Sequence, residues 1–205
     1  RTVQRDPRRL EYPLIVKSQS EHASTGISQA SIVRDLKGLT ERVEFIHRNV
    51  GTGAIAEEFI EGRELTIGVL GNRRLTTMPV WEMTFGNLPV GAPTIATSRV
   101  KWDLDYQKQI KLKTHAARDL PEGEAHAIAR LAKRVYRALD LSGFARVDLR
   151  LDERGRVWVL EANPNPDLSA AEDFARSARA AGLEYDALIQ RLLNLGLAHD
   201  PPWKG

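Results

Sequence analysis

Residues 143–167 read Gly143-Phe-Ala-Arg-Val-Asp-Leu-Arg-Leu-Asp-Glu-Arg-Gly-Arg-Val-Trp-Val-Leu-Glu-Ala-Asn-Pro-Asn-Pro-Asp167, and this stretch decides the fold that we predict. Apolar and polar residues alternate on both sides of a polar turn at 152–155, a pattern typical of an antiparallel β-hairpin. Side chains alternate between the two faces along a strand. The first strand therefore places Arg146, Asp148 and Arg150 on one face. The return strand places Glu161 and Asn163 on one face, opposite Trp158, Leu160 and Ala162.

Folding at this turn brings Asp148 to within about one residue of the position opposite Glu161. Oxygen ligands of this kind suit Mg²⁺, and the chain has no cysteine for a soft-metal site. Pro164 and Pro166 stop the second strand, and polar residues at a strand end beside a loop are a common setting for binding sites. The alternative is a solvated hairpin face on which the charged side chains simply pair with one another.

Arg146-Val-Asp148 followed by Leu160-Glu-Ala-Asn163 resembles the metal-binding hairpin of the ATP-grasp ligases, in particular the D-alanine–D-alanine ligase-like branch. The resemblance implies an α+β ATP-grasp fold, in which two lobes of mostly antiparallel sheet plus helices clasp the nucleotide. It implies ATP and two Mg²⁺ ions, with Mn²⁺ as a substitute, held by Asp148, Glu161 and Asn163. The implied reaction joins a carboxylate to an amine through an acylphosphate, and Arg146 and Lys17 stabilise the developing charge.

Lys17 ends a short apolar strand and precedes a loop of small polar residues at 18–26. Such a lysine can reach anionic oxygens, although the Walker spacing is missing and a surface lysine remains the alternative. The family loop reads Lys-Pro-x-x-Glu-Gly-Ser-Ser-x-Gly-Val-Ser, and the matching positions here are Lys17, Glu21, Ser24, Gly26 and Ser28. By resemblance, Lys17 binds phosphate and the loop covers the triphosphate. His22 and Ala23 depart from the family's glycine and serine.

The stretch Glu57-Glu-Phe-Ile-Glu-Gly-Arg-Glu64 resembles the family's Glu-x-x-hydrophobic-x-Gly-x-Glu hinge. Consecutive glutamates on a buried strand are costly unless their charges find partners. The resemblance implies that Glu57 takes the adenine amino group, that Glu58, Phe59 and Ile60 line the base pocket, and that Glu64 holds the ribose hydroxyls. A plain hairpin with charged edges is the alternative.

Two further segments correspond to family loops less closely. Residues 102–108 lie where the family places a mobile loop whose lysine contacts the γ-phosphate; Lys108 is our choice, and Lys101 and Lys111 are rivals. After Asn163 the family reads Thr-x-Pro-Gly-Met-Thr, so that Asp167 takes the glycine position and Ser169 the threonine position. By resemblance these two residues line the second-substrate site, where a carboxylate could repel an acid or attract an amine.

The secondary structure expected elsewhere follows from periodicity and from Gly and Pro positions. We expect helices over 32–47, 121–139, 169–181 and 185–195, strands over 54–60, 63–70 and 75–81, and an irregular stretch over 84–120. The resulting domains are a basic N-terminal segment at 1–13, a smaller ATP-grasp lobe at 14–62 and a larger lobe with the hairpin at 63–205. The N-terminal substrate domain of the family is expected to be absent or removed.

Composition bounds the partners and the compartment. Hydrophobic residues make up 42% and charged residues 28% of the 205, values that are typical of a globular protein. The net charge is +3, but basic and acidic residues are interspersed, so we predict no nucleic-acid partner. We also predict no membrane partner and a cytoplasmic location, because no signal-peptide or spanning pattern is present. A homodimer is compatible with the sequence.

Two readings compete with a D-alanine–D-alanine ligase-like enzyme that acts on small carboxylate and amine substrates. One is an ATP-grasp ligase of another branch that adds amino acids or peptides. The other is a non-catalytic ATP-binding regulatory module. Retention of a complete set of metal-ligand residue types argues against the second. No histidine lies beside a Ser or Cys nucleophile, so a protein nucleophile is not expected.

Overall fold

The computed structural model describes residues 10–21 and 24–199. Its strands are β1 (Leu14–Ser18), β2 (Ile32–Val33), β3 (Ala54–Glu58), β4 (Arg63–Leu70), β5 (Thr76–Thr77), β6 (Trp81–Phe85), β7 (Leu112–Ala116), β8 (Phe144–Leu151) and β9 (Val157–Asn163). Its helices are α1 (Leu36–Phe45), α2 (Ser98–Trp102), α3 (Leu104–Gln109), α4 (Glu124–Ala138), α5 (Asp173–Ala180) and α6 (Tyr185–Leu197). A 3₁₀ turn (Gln29–Ser31) precedes β2, and a π-helical turn (Ile46–Val50) extends α1.

The chain divides into two compact units. Unit 1 contains residues 1–61 and 85–112, and unit 2 contains residues 62–84 and 113–205. Residues 85–112, which we assigned to the larger lobe, therefore group with unit 1. The reason is long-range hydrogen bonding: the Ser98 amide donates to the Ile27 carbonyl at 3.0 Å, and the Ser24 hydroxyl donates to the Ala96 carbonyl at 2.6 Å. Sequence periodicity does not predict such contacts, because they join residues that are far apart in the chain.

Unit 1 is built on a three-stranded antiparallel sheet in the order β2-β1-β3. Alternate residues of β1 point into its core, which consists of Leu14, Val16, Val33, Leu39 and Ile46. The helix expected from 32 begins only at Leu36, because Asp35 has an extended backbone and its carboxylate accepts the Gly38 amide at 2.7 Å. An N-cap of this kind ends the preceding strand and starts the helix.

Unit 2 is built on an antiparallel sheet in the order β7-β6-β4-β8-β9, with β5 paired to β4. One face of β4 and β8 packs against α4, and the cluster includes Leu65, Ile67, Val69, Ile128, Ala132, Tyr136, Val147 and Leu149. A second cluster joins the sheet to α5 and α6 through Leu70, Met78, Phe174, Ala178 and Leu188. The polar residues of β4, β8 and β9 are not part of these two apolar clusters.

Two predicted stretches differ from the observed elements. The interval 84–120 is not irregular, because it contains α2, α3 and β7. The strand expected over 75–81 is divided into β5 and β6, since Pro79 lies between them and cannot donate a ladder hydrogen bond. Both short helices begin at side-chain caps: Thr97 accepts the Val100 amide, and Asp103 accepts the Tyr106 amide.

Tyr136→Phe is expected to lower the free energy of unfolding by about 1–3 kcal/mol, because the buried Gly71 carbonyl loses the hydroxyl that donates to it. The Tyr136 hydroxyl donates to that carbonyl at 2.9 Å. Burial raises the pKa of Tyr136 to about 12 from 10.0. A raised pKa contributes stability that is complete below pH 10 and is lost as the pH rises towards 12. Urea denaturation between pH 7 and 12 should show this loss in the wild type, in excess of the loss in Tyr136→Phe. Parallel pH profiles of the two proteins would contradict the prediction.

Candidate functional site

The β8–β9 hairpin of unit 2 assembles the polar residues that the sequence singled out. Asp148 lies directly opposite Glu161, and Arg146 lies opposite Asn163. Directly opposed residues of an antiparallel pair project their side chains from the same face. The predicted cross-strand meeting of the two carboxylates is therefore confirmed, within one sheet face that also holds an arginine and an amide.

The first residues of β9, before Leu160, differ from the prediction. Leu149 pairs with Val159 although Asp148 pairs with Glu161, so Leu160 is an extra residue in β9 and forms a bulge. A bulge shifts the alternation of every residue beyond it. Trp158 pairs with Arg150 and therefore lies on the same face as Glu161, where we had expected it on the opposite face.

Strand β4 adds two residues to this face. Glu64 is paired in register with Arg150, and Thr66 is paired with Asp148. Arg150 is only 3% exposed and donates to the Glu64 carboxylate at 3.0 Å. The predicted ribose-binding carboxylate is thus oriented by a buried arginine. We had not singled out Thr66, although counting two residues on from Glu64 would have put it on the same face.

Arg146 and Asp148 form a bidentate pair. The Nε and Nη2 atoms of Arg146 donate to the two carboxylate oxygens of Asp148 at 2.6 and 2.8 Å. Burial lowers the pKa of Arg146, but the hydrogen bond and charge of Asp148, together with two further carboxylates, outweigh burial and raise it. Those two carboxylates belong to Glu161 and Asp173. The guanidinium is therefore a permanent and oriented positive charge on the hairpin.

The loop that follows β9 is folded by its own side chains. The Asn163 amide oxygen accepts the Asn165 backbone N–H at 2.8 Å. Asp167 accepts both the hydroxyl and the amide N–H of Ser169, at 2.6 and 2.8 Å, and these bonds lower the pKa of Asp167. Burial raises the pKa of Glu172, and the nearby charges of Asp167 and Asp173 raise it further. Glu172 was not singled out from the sequence.

The phosphate-binding lysine predicted in unit 1 lies within β1, which continues to Ser18, and does not end it. The Lys17 ammonium contacts the Glu57 carboxylate at 2.5 Å. The structure therefore brings together the residue that we expected at phosphate and the residue that we expected at adenine. Glu58 accepts the Glu11 amide at 3.0 Å, and the Phe59 amide donates to the Pro13 carbonyl at 2.8 Å.

The described residues of the loop after β1 are anchored at both of its ends. The Ser18 hydroxyl accepts the amides of Ser20 and Glu21 at 3.2 and 3.0 Å. At the far end, the Ser24 hydroxyl donates to a carbonyl of the 85–112 segment and the Gly26 carbonyl accepts Arg42. The two family departures, His22 and Ala23, lie outside the described residues, as does most of the 1–13 segment.

The choice among the three lysines of 101–111 stays a prediction. Lys108 lies in α3, has a side chain that is 79% exposed and pairs with Asp105 at 3.2 Å. Lys101 lies in α2, and Lys111 follows α3 with a positive φ of 50°.

Ile60, which we expected to line the base pocket, follows β3 and is half-buried.

The hairpin residues suit a hard cation by their donor chemistry. Asp148, Glu161 and Asn163 supply only oxygen atoms, and Mg²⁺ in proteins is usually held by one or two carboxylates together with substrate phosphates. Each carboxylate or amide oxygen has two lone pairs, so a single hydrogen bond leaves capacity for a further contact. Within the described residues, no group of three or more His, Cys, Asp or Glu side chains could hold a metal ion.

Comparison with known proteins identifies the family. The profile described as "D-ala D-ala ligase C-terminus" matches residues 2–194. The chain belongs to the D-alanine–D-alanine ligase C-terminal family. The matched residues include the lysine loop, the glutamate-rich strand and the hairpin, in this order along the chain.

Two curated relatives illustrate the similarity, and both are named D-alanine--D-alanine ligase. The chain is 30% identical over 190 residues to that of Pelotomaculum thermopropionicum, covering 93% of this chain and 55% of the relative. It is 32% identical over 193 residues to that of Bordetella petrii, covering 92% and 53%. The chain thus spans about half the length of the curated relatives that it matches.

Solved structures of the family share the fold. The D-alanine--D-alanine ligase from Bacillus anthracis complexed with ATP matches with a TM-score of 0.73 at 21% identity, over 97% of this chain and 57% of that one. The VanG D-Ala:D-Ser ligase from Enterococcus faecalis matches with a TM-score of 0.71 at 24% identity, over 92% and 50%. The predicted α+β ATP-grasp fold is confirmed. Within the described residues, no helix combines the length and the apolar character that crossing a bilayer requires.

Proposed function

We propose that this chain forms the ATP-binding and catalytic part of a D-alanine–D-alanine ligase-like enzyme, which joins a small carboxylate to an amine at the expense of ATP. The observation that carries the proposal is the hairpin: Asp148 and Glu161 are directly opposed, and Arg146 is clamped beside them. The family to which the chain belongs supports the same reaction class, because the two curated relatives described above are named as ligases.

The nucleotide contacts are assigned by position in each unit. In unit 1, we assign Lys17 and the loop through Glu21, Ser24 and Gly26 to the phosphates. A second group of residues (Glu57, Glu58, Phe59 and Ile60) is assigned to the base. In unit 2, we assign Glu64 to the ribose, in support of which Arg150 orients its carboxylate at 3.0 Å. The Lys17–Glu57 contact supports a shared role, because one charge orients the other.

Asp148, Glu161 and Asn163 would hold Mg²⁺, and their all-oxygen donor set fits that ion. When bound, Mg²⁺ neutralises charge on the β- and γ-phosphates. Arg146 needs no reorganisation to contribute, because two hydrogen bonds already fix its guanidinium.

Two chemical steps follow from the reaction class. An oxygen of the substrate carboxylate attacks the γ-phosphorus, the bond from that phosphorus to the β-bridging oxygen breaks, and ADP leaves. The amine then attacks the acyl carbon of the acylphosphate, phosphate leaves and the amine nitrogen loses a proton. Arg146 stabilises negative charge in these steps, and Lys17 and Lys108 hold the phosphate oxygens.

The acceptor end of the site is assigned to the loop after β9. Asp167 and Ser169 are joined by two hydrogen bonds, which present one ordered turn to the second substrate. A carboxylate here favours an acceptor that carries an amine over one that carries an additional acid. D-alanine is therefore one candidate substrate among small amines. We also propose a cytoplasmic location, since the reaction consumes ATP.

The deciding experiment measures phosphate release from ATP and Mg²⁺ over a matrix of small carboxylates and amines, beginning with D-alanine as both. We expect release that requires both substrates, together with a new amide detected by mass spectrometry. Release that requires a peptide or a different amino acid would assign the chain to another ATP-grasp branch. ATP binding by calorimetry without release for any pair would instead identify a non-catalytic module.

A further inference from the structure

Arg42 in unit 1 is a buried cation that pairs with no carboxylate among the residues that the structure describes. Its side chain lies on α1 and the residue is only 8% exposed. Within the described residues it forms no ion pair, and its Nε atom is buried without a hydrogen-bond partner. The guanidinium lies over the Phe45 ring at 4.2 Å. A buried charge without a counter-charge costs stability, so a specific contact has to explain its presence.

That contact is the carbonyl of Gly26, which accepts a hydrogen bond from Arg42 Nη2. Gly26 is the last member of the proposed phosphate loop and has a φ of +72°. A side chain at Gly26 would approach Val50 to 2.9 Å and Ile46 to 3.3 Å. Position 26 is thus held against the end of α1 by close packing on one side and by the guanidinium on the other.

The remaining anchors of the loop are independent of Arg42. Ser18 caps its start through the amides of Ser20 and Glu21. The Ser24 hydroxyl donates to the Ala96 carbonyl at 2.6 Å, and the Ser98 hydroxyl donates to the Ser24 carbonyl at 2.5 Å. Every one of these anchors is neutral. Arg42 is the anchor that adds a charge, within a buried setting where water screens that charge weakly.

We propose that Arg42 is a positioning residue for the triphosphate, which fixes the Gly26 end of the loop and adds a buried positive charge to the anion-binding side of unit 1. This inference rests on the proposed function. Arg42 has opposite effects on folding and on binding: it lowers the stability of unit 1 and raises the affinity for phosphate. A residue that served the fold alone would not show opposite effects on the two quantities.

The test measures the dissociation constants of ATP and of adenosine, and the melting temperature, for Arg42→Met, Arg42→Lys and the control Arg48→Met. Methionine keeps the unbranched stem of Arg42 and removes the charge and the donor. Arg48 is a matched control, because its side chain is 77% exposed and pairs with Glu44 on the surface of the same unit. For Arg42→Met we expect the dissociation constant of ATP to rise at least about tenfold. Adenosine affinity should stay within about twofold of wild type, and the melting temperature should be unchanged or higher.

Arg42→Lys keeps the charge but loses the planar fork, so its ATP affinity should lie between those of the wild type and Arg42→Met. If Arg42→Met does not fold, the ATP-to-adenosine ratio in Arg42→Lys decides the question in the same way. Equal ATP affinities in Arg42→Met and Arg48→Met would overturn the inference, and so would parallel losses of ATP and adenosine. Failure of the wild type to bind ATP would instead remove the proposed function.

Discussion

Asp148→Asn is expected to lower the turnover of ATP-dependent amide formation about 10²–10⁴-fold, because charge neutralisation at the phosphates contributes several kcal/mol to the barrier. The substitution removes a carboxylate charge that the geometry places opposite Glu161 and clamps to Arg146 at 2.6 and 2.8 Å. Asparagine has nearly the same shape and still accepts one hydrogen bond, so the fold should persist. Turnover at saturating substrates and circular dichroism would measure the two effects.

Asp152→Asn is the matched control for Asp148→Asn. It makes the same chemical change in the same hairpin, at the turn, where Asp152 accepts hydrogen bonds from Arg156 and from the Trp158 indole. Those contacts lower the pKa of Asp152 to about 2, with the Trp158 hydrogen bond as the largest cause. We expect Asp152→Asn to weaken the hairpin turn and to leave turnover almost unchanged. Full activity in Asp148→Asn, or an equal loss in both variants, would remove the metal assignment.

Gly62→Ala is expected to have the largest effect on folding, a loss of about 3 kcal/mol or more in the free energy of unfolding. Gly62 has a φ of +141°, and an added Cβ would lie 2.1 Å from the Leu151 carbonyl oxygen and 3.0 Å from the Asp152 Cα. The obstacle is backbone at the end of β8, which cannot rotate away as a side chain can. Relief of the clash requires β4 and β8 to separate where Arg63 pairs with Leu151.

Gly155→Ala separates the clash from the backbone strain. Gly155 also has a positive φ, of +75°, but a Cβ there would meet no atom within 4 Å. The left-handed conformation alone should therefore cost about 1–2 kcal/mol. Urea denaturation of both variants measures the two losses in the free energy of unfolding. A loss in Gly62→Ala no greater than that in Gly155→Ala would contradict the prediction, because it would show that β4 and β8 separate at this point at little cost.

Local patterns were sufficient for much of the candidate site. The turn at 152–155 and the alternation around it indicated that Asp148 and Glu161 meet, because hairpin register depends on residues that are close in sequence. The same alternation failed before Leu160, at Trp158. The extra residue Leu160 creates a bulge, and nothing in the order of polar and apolar residues marks which one is unpaired.

The amino-acid order alone was enough to indicate the family, the hairpin with its opposed carboxylates, and the lysine that precedes a small-residue loop, because each depends on neighbours along the chain. Contacts between distant segments required the folded molecule: Arg150 with Glu64, Arg42 with Gly26, and residues 96–98 with the Ser24–Ile27 turn. These partners are 16 to 86 positions apart. Their pairing depends on the packing of whole sheets and helices, for which local periodicity holds no information.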